Sequence, residues 1–362
     1  MRNLKWVIIL FSFGINTAYS QKPKVEIPGT EVIKFKSGIN NQDYVLDVYV
    51  PGSYNYTTKK FPVLYVLDGQ WSFPYIGGVQ GVAEDLFYDG LAPEMIVVGI
   101  KWTGDYDANR QFDFTPTQTN EFPKSGGGVQ FMSIVKNEIM KIINSNYRTD
   151  KVNNTLSGGS LGSCFTLYTM FQKPQFFNRY IAWGFSSTDE IFNMEKLFSE
   201  NNHELNAKLF LCTNEYEEAM SDTSDFRKFI TQLKSHNYSG FEIDSMVIKK
   251  MGHVSEGPYA VGCGLEFLFR QPDIKLETSL LRQYAGQYKR DDEIINIISL
   301  DSHIYISFPG GKVRLYAKTT DTFYAKGLGG GGIGQFVKND TGKVIGYNLI
   351  LDKTTISYNK IN

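Results

Sequence analysis

The sequence predicts an α/β fold, a mostly parallel sheet flanked by helices, followed by a small antiparallel β domain. Three observations carry this. Short runs such as Pro62-Val-Leu-Tyr-Val-Leu67 and Met95-Ile-Val-Val-Gly-Ile100 are continuously apolar, which suits strands covered on both faces by helices. Strand-like and helix-like stretches alternate from residue 31 to residue 269, as in a wound parallel sheet. Beyond Pro272 the pattern changes to short alternating strands separated by glycine and asparagine turns.

The first twenty residues read as an export leader: Arg2 and Lys5, an apolar run from Trp6 to Ile15, and Ala18-Tyr19-Ser20 before Gln21. The run is shorter than the roughly twenty residues needed to cross a bilayer. The expectation is therefore an exported protein, periplasmic or secreted, with no integral membrane segment after cleavage near Ser20/Gln21. Residues 21–273 form the α/β domain, and residues 274–362 a β module expected to be a curved sheet or partial barrel.

Within the α/β domain, Glu31 to Lys36 and Tyr44 to Val50 read as strands, with Leu46, Val48 and Val50 alternating against Asp47 and Tyr49. Strands follow at Pro62–Leu67, Met95–Ile100, Lys151–Ser157, Ile181–Phe185, Lys208–Cys212 and Phe241–Ile248. Helices are expected at Val79–Leu91, Gly127–Ser145, Leu161–Gln172, Thr188–Glu200, Ser221–His236 and Pro258–Phe269. The β module offers strands at Gln283–Tyr288, Ile294–Leu300, His303–Phe308, Lys312–Ala317, Phe336–Lys338 and Tyr347–Leu351. A net charge of −1 supplies no basic field for nucleic acid. Three cysteines are too few for a disulfide framework. Cys164 and Cys212 read as small core residues, Cys263 lies in a helix beside Gly262 and Gly264, and a bridge among the three is left open.

The chemistry centres on Gly158-Gly159-Ser160-Leu161-Gly162, a G-x-S-x-G nucleophile elbow set between a strand and a helix. A serine hydroxyl needs a base. Of four histidines, His203 and His236 lie at helix ends and His303 in the β module. His253 sits in a loop between a strand and a helix, after the acid in chain order, and is assigned as the base. The acid is expected just past Lys208–Cys212, where Glu215, Glu217 and Glu218 cluster. Glu217 is chosen because the usual acid lies three residues after a turn glycine, and Asn214 can take that turn's left-handed conformation. The oxyanion donors are expected to be the Leu161 amide and an amide of the loop after Pro62–Leu67, at Gln70 or neighbouring Trp71. Trp71, Phe73 and Tyr75 could line a substrate pocket or pack at a loop corner.

With these residues assembled, the chain from about Val32 to Phe269 resembles the putative-esterase family of α/β-hydrolases, which includes esterase D-type enzymes and enterobactin esterases. The resemblance rests on Phe61-Pro-Val-Leu-Tyr-Val-Leu-Asp-Gly69, Arg110-Gln-Phe-Asp-Phe-Thr-Pro116, Gly126-Gly-Gly, Phe131, Glu138 and Tyr147-Arg148. It continues through the elbow, Glu215-Tyr-Glu217, Gly252-His-Val-Ser255 and Gly264-Leu-Glu-Phe-Leu-Phe269. It implies an α/β-hydrolase fold and serine-dependent hydrolysis of a small-molecule or glycan ester, with no cofactor. The chain departs from the family's common G-H-S-x-G-G elbow: Gly159 replaces the histidine and Ser163 the last glycine. Glu217 stands where many hydrolases carry aspartate, and some enterobactin esterases work with a serine–histidine dyad. The tail, opening on Leu281-Arg-Gln-Tyr-Ala-Gly-Gln-Tyr288, resembles small β modules appended to exported serine hydrolases.

Other signals are set aside. Gly327-Leu-Gly329-Gly-Gly-Gly332 lacks the strand–helix unit of a dinucleotide site. Asp105-Tyr-Asp107-Ala-Asn109 opens like a calcium loop, but Arg110 stands at the required glycine and Pro116 at the final glutamate. No spacing of His, Cys and Asp suggests catalytic zinc. The same scaffold would also serve a non-catalytic glycan- or siderophore-binding protein, or an acyltransferase.

Overall fold

The apolar runs at residues 62–67 and 95–100 become adjacent parallel strands inside an eight-stranded sheet. The computed structural model describes residues 26–72, 78–118, 123–172, 175–185, 189–219, 225–327, 332–351 and 354–361. The leader, Phe73 and Tyr75 lie outside them.

The sheet is built from β1 (Thr30–Lys36), β2 (Asp43–Tyr49), β3 (Phe61–Val66), β4 (Ile96–Trp102), β5 (Thr149–Gly159), β6 (Arg179–Trp183), β7 (Glu204–Asn214) and β8 (Ser239–Ile248). Their spatial order is β1-β2-β4-β3-β5-β6-β7-β8. β1, β2 and β4 are antiparallel neighbours, and every pairing from β4 to β8 is parallel. The parallel strands therefore deliver their C-terminal ends to one edge, where α/β folds place their ligands.

Between the strands run α1 (Gly69–Ser72), α2 (Val79–Tyr88), α3 (Tyr106–Phe114), α4 (Gly128–Ile134), α5 (Met140–Asn146), α6 (Leu161–Met170), α7 (Asp189–Asn201), α8 (Glu215–Ala219), α9 (Asp225–Ser235) and α10 (Glu256–Leu268). Alternate residues of β3 feed opposite cores. Val63, Tyr65 and Leu67 pack with Phe114, Phe131 and Phe165, whereas Leu64 and Val66 pack with Val79, Ala83 and Leu265. This two-sided burial is why the run is continuously apolar. The helix expected over Gly127–Ser145 is interrupted by a π turn, Val135–Ile139. Val135, Ile139 and Ile143 are all buried; their spacing of four slips around an ordinary helix, and the wide turn absorbs the slip. Helix α3 was not expected. Its signal was Asp105, whose carboxylate accepts from the Ala108 amide at 3.1 Å as an N-cap.

The C-terminal module is a closed antiparallel barrel, not the curved sheet or partial barrel expected. Its strands are β9 (Gly286–Arg290), β10 (Glu293–Leu300), β11 (His303–Phe308), β12 (Gly311–Ala317), β13 (Thr322–Ala325), β14 (Ile333–Lys338), β15 (Val344–Leu351) and β16 (Thr354–Lys360). Pairing of β16 with β9 closes the ring. The four-residue β13 and the threonine-rich β16 carry too little apolar alternation to stand out in sequence. Tyr284, expected in a strand, ends a short helix, α11 (Thr278–Tyr284). Its buried ring stacks on Phe336 with centroids 4.1 Å apart, filling the barrel interior. The barrel meets the sheet domain through Gly327 N–H donating to Asp89 O at 2.8 Å and Tyr324 Oη–H to Gln271 O at 3.1 Å. Cys164, Cys212 and Cys263 are free thiols. Among the described residues, no helix is long and apolar enough to cross a membrane.

Candidate active site

Ser160 links the end of β5 to the start of α6 with φ 54° and ψ −124°. Such a conformation is costly for a residue with a side chain and persists only when its surroundings enforce it. Here they do. Ser160 N–H donates to Trp183 O at 3.0 Å, and Ser160 O accepts from Ser163 N–H at 2.8 Å and Ser163 Oγ at 2.7 Å. Ser163, the departure from the family's glycine, thus closes the elbow with its hydroxyl. The elbow glycines answer to close packing. A Cβ at Gly158 would lie 2.3 Å from Gly162 O, and one at Gly159 would lie 2.2 Å from the Trp183 ring. The histidine common at position 159 would collide with Trp183.

His253 follows β8 and faces α8. Its Nδ1 lies 2.5 Å from Glu217 Oε1. Glu217 Oε2 accepts from Asn214 Nδ2 at 2.8 Å and from Thr213 Oγ1 at 3.3 Å. Buried Asn214 also caps α8, its Oδ1 accepting the Tyr216 and Glu217 amides at 3.2 and 3.1 Å. The three glutamates are thereby separated by role. Glu215 accepts the Lys250 amide at 2.7 Å, Glu218 pairs with Arg227, and Glu217 alone of the three faces His253. His236 is held by buried Glu195 at 2.7 Å, and His303 Nδ1 lies 2.6 Å from Asp301 O.

Ser160 and His253 open into one cleft of about 420 Å³, lined also by Val66, Trp71, Arg110, Trp183, Val254 and Val261. Trp71 thus sits in the cleft wall, with a half-exposed ring. Gln70 and Leu161 do not line the wall with side chains; their expected contribution is a backbone amide. The Trp71 amide is engaged by Asp68 O at 2.8 Å. Leu161 opens α6, where the first amides have no partner within the helix.

Sequence reasoning missed the clamp behind this loop. Asp68, at φ 56°, takes a bidentate pair from Arg110 Nε and Nη2 at 2.9 and 3.1 Å and a bond from Tyr106 Oη at 2.7 Å. Arg110 Nη2 also donates to Gly159 O at 3.3 Å. Helix α3 thus ties the loop after β3 to the elbow after β5. Arg110 and Trp183 were the unrecognised wall residues. The partners are 38 to 49 residues apart, beyond any spacing rule, though Arg110 stood within the family-like segment. Residues 105–110 form the capped start of α3. Residues 328–331 of the glycine run lie outside the described residues. Among the described residues, Glu217, His253 and Glu256 alone form a trio of potential metal ligands, their ligand atoms within 4.8 Å of one another.

A serine on a strained elbow, a histidine in the same cleft and a mostly parallel sheet are those of the α/β-hydrolase fold. Residues 37–209 match the model of the family described as Putative esterase. Ferri-bacillibactin esterase BesA of Bacillus subtilis (strain 168) is 28% identical over 269 residues, spanning 67% of this chain and 90% of its own. An IroE-like serine hydrolase from Shewanella oneidensis shares the fold with a TM-score of 0.60 at 20% identity, over 70% of this chain and 84% of that one. BES protein from Bacillus cereus does so with 0.58 at 22% identity, over 68% and 97%.

Proposed function

We propose that this ester hydrolase works through an acyl-enzyme on Ser160. The carrying observation is that one cleft gathers the elbow serine and a histidine whose far nitrogen lies 2.5 Å from a held carboxylate. In the proposed sequence, Ser160 Oγ attacks the ester carbonyl carbon while His253 Nε2 takes its proton. Glu217 fixes the tautomer with the Nδ1 proton facing it and stabilises the imidazolium without accepting that proton. The amides of Leu161 and Gln70 hold the developing oxyanion, each worth roughly 3 to 4 kcal/mol in the transition state. His253 returns its proton to the leaving alcohol. It then activates water, which releases the acid and restores Ser160.

The leader composition supports export to a periplasm or the medium. The ferri-bacillibactin esterase relative and the apolar wall bearing Arg110 favour a siderophore ester over a glycan ester. The test compares purified residues 21–362 with Ser160→Ala on p-nitrophenyl acetate and butyrate, then on a ferri-siderophore lactone and a feruloylated glycan. Ser160→Ala should lower kcat by about a millionfold. Near-normal turnover by that variant would refute the acyl-enzyme mechanism.

A further inference from the structure

We propose that Trp183 is a specificity-determining residue, an indole set beside the elbow that limits how far the acyl arm of the ester enters the cleft. This rests on the acyl-enzyme reading of Ser160. The cleft has two unlike ends. At one, Val66, Val79 and Val261 line it and are each almost wholly buried. They belong to the apolar cluster joining β3, α2 and α10, against which Trp183 packs. At the other, Trp71 and Val254 are at least half exposed. The first end is a recess and the second a mouth.

The order of bond breaking assigns the arms. The alcohol leaves first, while the acyl group stays bonded to Ser160 Oγ. A leaving group needs a path to water, which the mouth supplies and the buried recess does not. The acyl arm therefore takes the recess, and the side chain it meets beside Ser160 is Trp183.

Trp183 ends β6 and pairs in register with Gly159 of β5. A Cβ at Gly159 would lie 2.2 Å from its ring, and one at Gly257 of α10 would lie 3.0 Å from it. The ring edge is thus gripped between elbow and helix by two residues without side chains. Its backbone oxygen accepts the Ser160 amide at 3.0 Å, which fixes the indole relative to the nucleophile. A tryptophan that served packing alone would be closed off on every side; this one is only partly buried and lines the cleft. The histidine common at position 159 in the family could not coexist with this ring. Its exchange for Gly159 moves bulk from the elbow strand to the neighbouring strand, onto the wall of the recess. Groups carried at the mouth, beside Trp71 and Arg110, escape the limit.

The test measures kcat/KM of the full chain, Trp183→Leu and Trp183→Phe on p-nitrophenyl acetate, butyrate and octanoate. In the wild type the value should fall between butyrate and octanoate. Trp183→Leu should raise the octanoate-to-acetate ratio on the order of tenfold, the scale on which a hydrophobic pocket discriminates a methylene, with Trp183→Phe in between. The ratio of hexyl to ethyl acetate, which varies the alcohol arm, should not change. A wild-type value still rising at octanoate would overturn the proposal, even if neither variant folds. So would an unchanged acyl ratio in a variant that still reacts with a fluorophosphonate, or an equal shift in both series. Turnover surviving in Ser160→Ala would instead refute the acyl-enzyme reading, a separate failure.

Discussion

Ser160 occupies a strained backbone conformation because Gly158 and Gly159 let a strand, a helix and the Trp183 ring meet within van der Waals distance. That makes the elbow intolerant of even a methyl group. Gly159→Ala must move the Trp183 ring or the serine, a change that typically costs about 1 to 3 kcal/mol when a packed site is overfilled. The expected result is a lower Tm together with a loss of turnover larger than the stability loss explains, measured on p-nitrophenyl butyrate. Unchanged kcat would show that the ring yields freely. At this scale the sequence was informative. The G-x-S-x-G spacing carries its own mechanical reason, and four histidines leave few candidates for a base. Among Glu215, Glu217 and Glu218 the sequence singled out Glu217 by its place three residues after Asn214, and it is Glu217 that faces His253.

Elements hold the site through contacts that no local pattern encodes. Helix α3 supplies Arg110 to Asp68 and, one turn further on, Asp113 to the core. Asp68 is almost wholly buried in that pair. Arg110→Ala strands its carboxylate, and breaking a buried pair from one side typically costs about 3 to 5 kcal/mol; urea unfolding should show a loss of that order. Asp113 has no solvent exposure, and its Oδ2 accepts from Tyr44 Oη at 2.9 Å and Trp102 Nε1 at 2.6 Å. Burial raises its carboxyl from 3.8 to about 6. The folded state therefore binds the proton more tightly than the unfolded chain, so this contribution is full below about pH 4 and is lost as pH rises through about 6. Asp113→Asn lacks that loss, and its Tm relative to wild type should climb between pH 4 and 6. A pH-independent difference would contradict the assignment. Helix α3 escaped sequence reading because its polar first turn resembles a loop, although Asp105 marked the cap.

Across the whole molecule, the cleft and the barrel are built from separate residues. Among the described residues, none lining the cleft comes from the barrel. Residues 26–272 alone should fold and turn over p-nitrophenyl esters at the wild-type kcat; loss of activity in a folded truncation would place the barrel in the catalytic unit. The sheet was legible because two-sided burial writes itself as unbroken apolar runs. Barrel closure was not, because β13 has only four residues and β16 is mostly polar. The central claim is that Ser160 carries the acyl group. Its most direct measurement is reaction of the full chain with a fluorophosphonate, followed by peptide mass mapping. The account predicts a single adduct on Ser160, absent from Ser160→Ala and accompanied by complete loss of ester turnover. An adduct elsewhere, or turnover that persists with Ser160 fully modified, would contradict it.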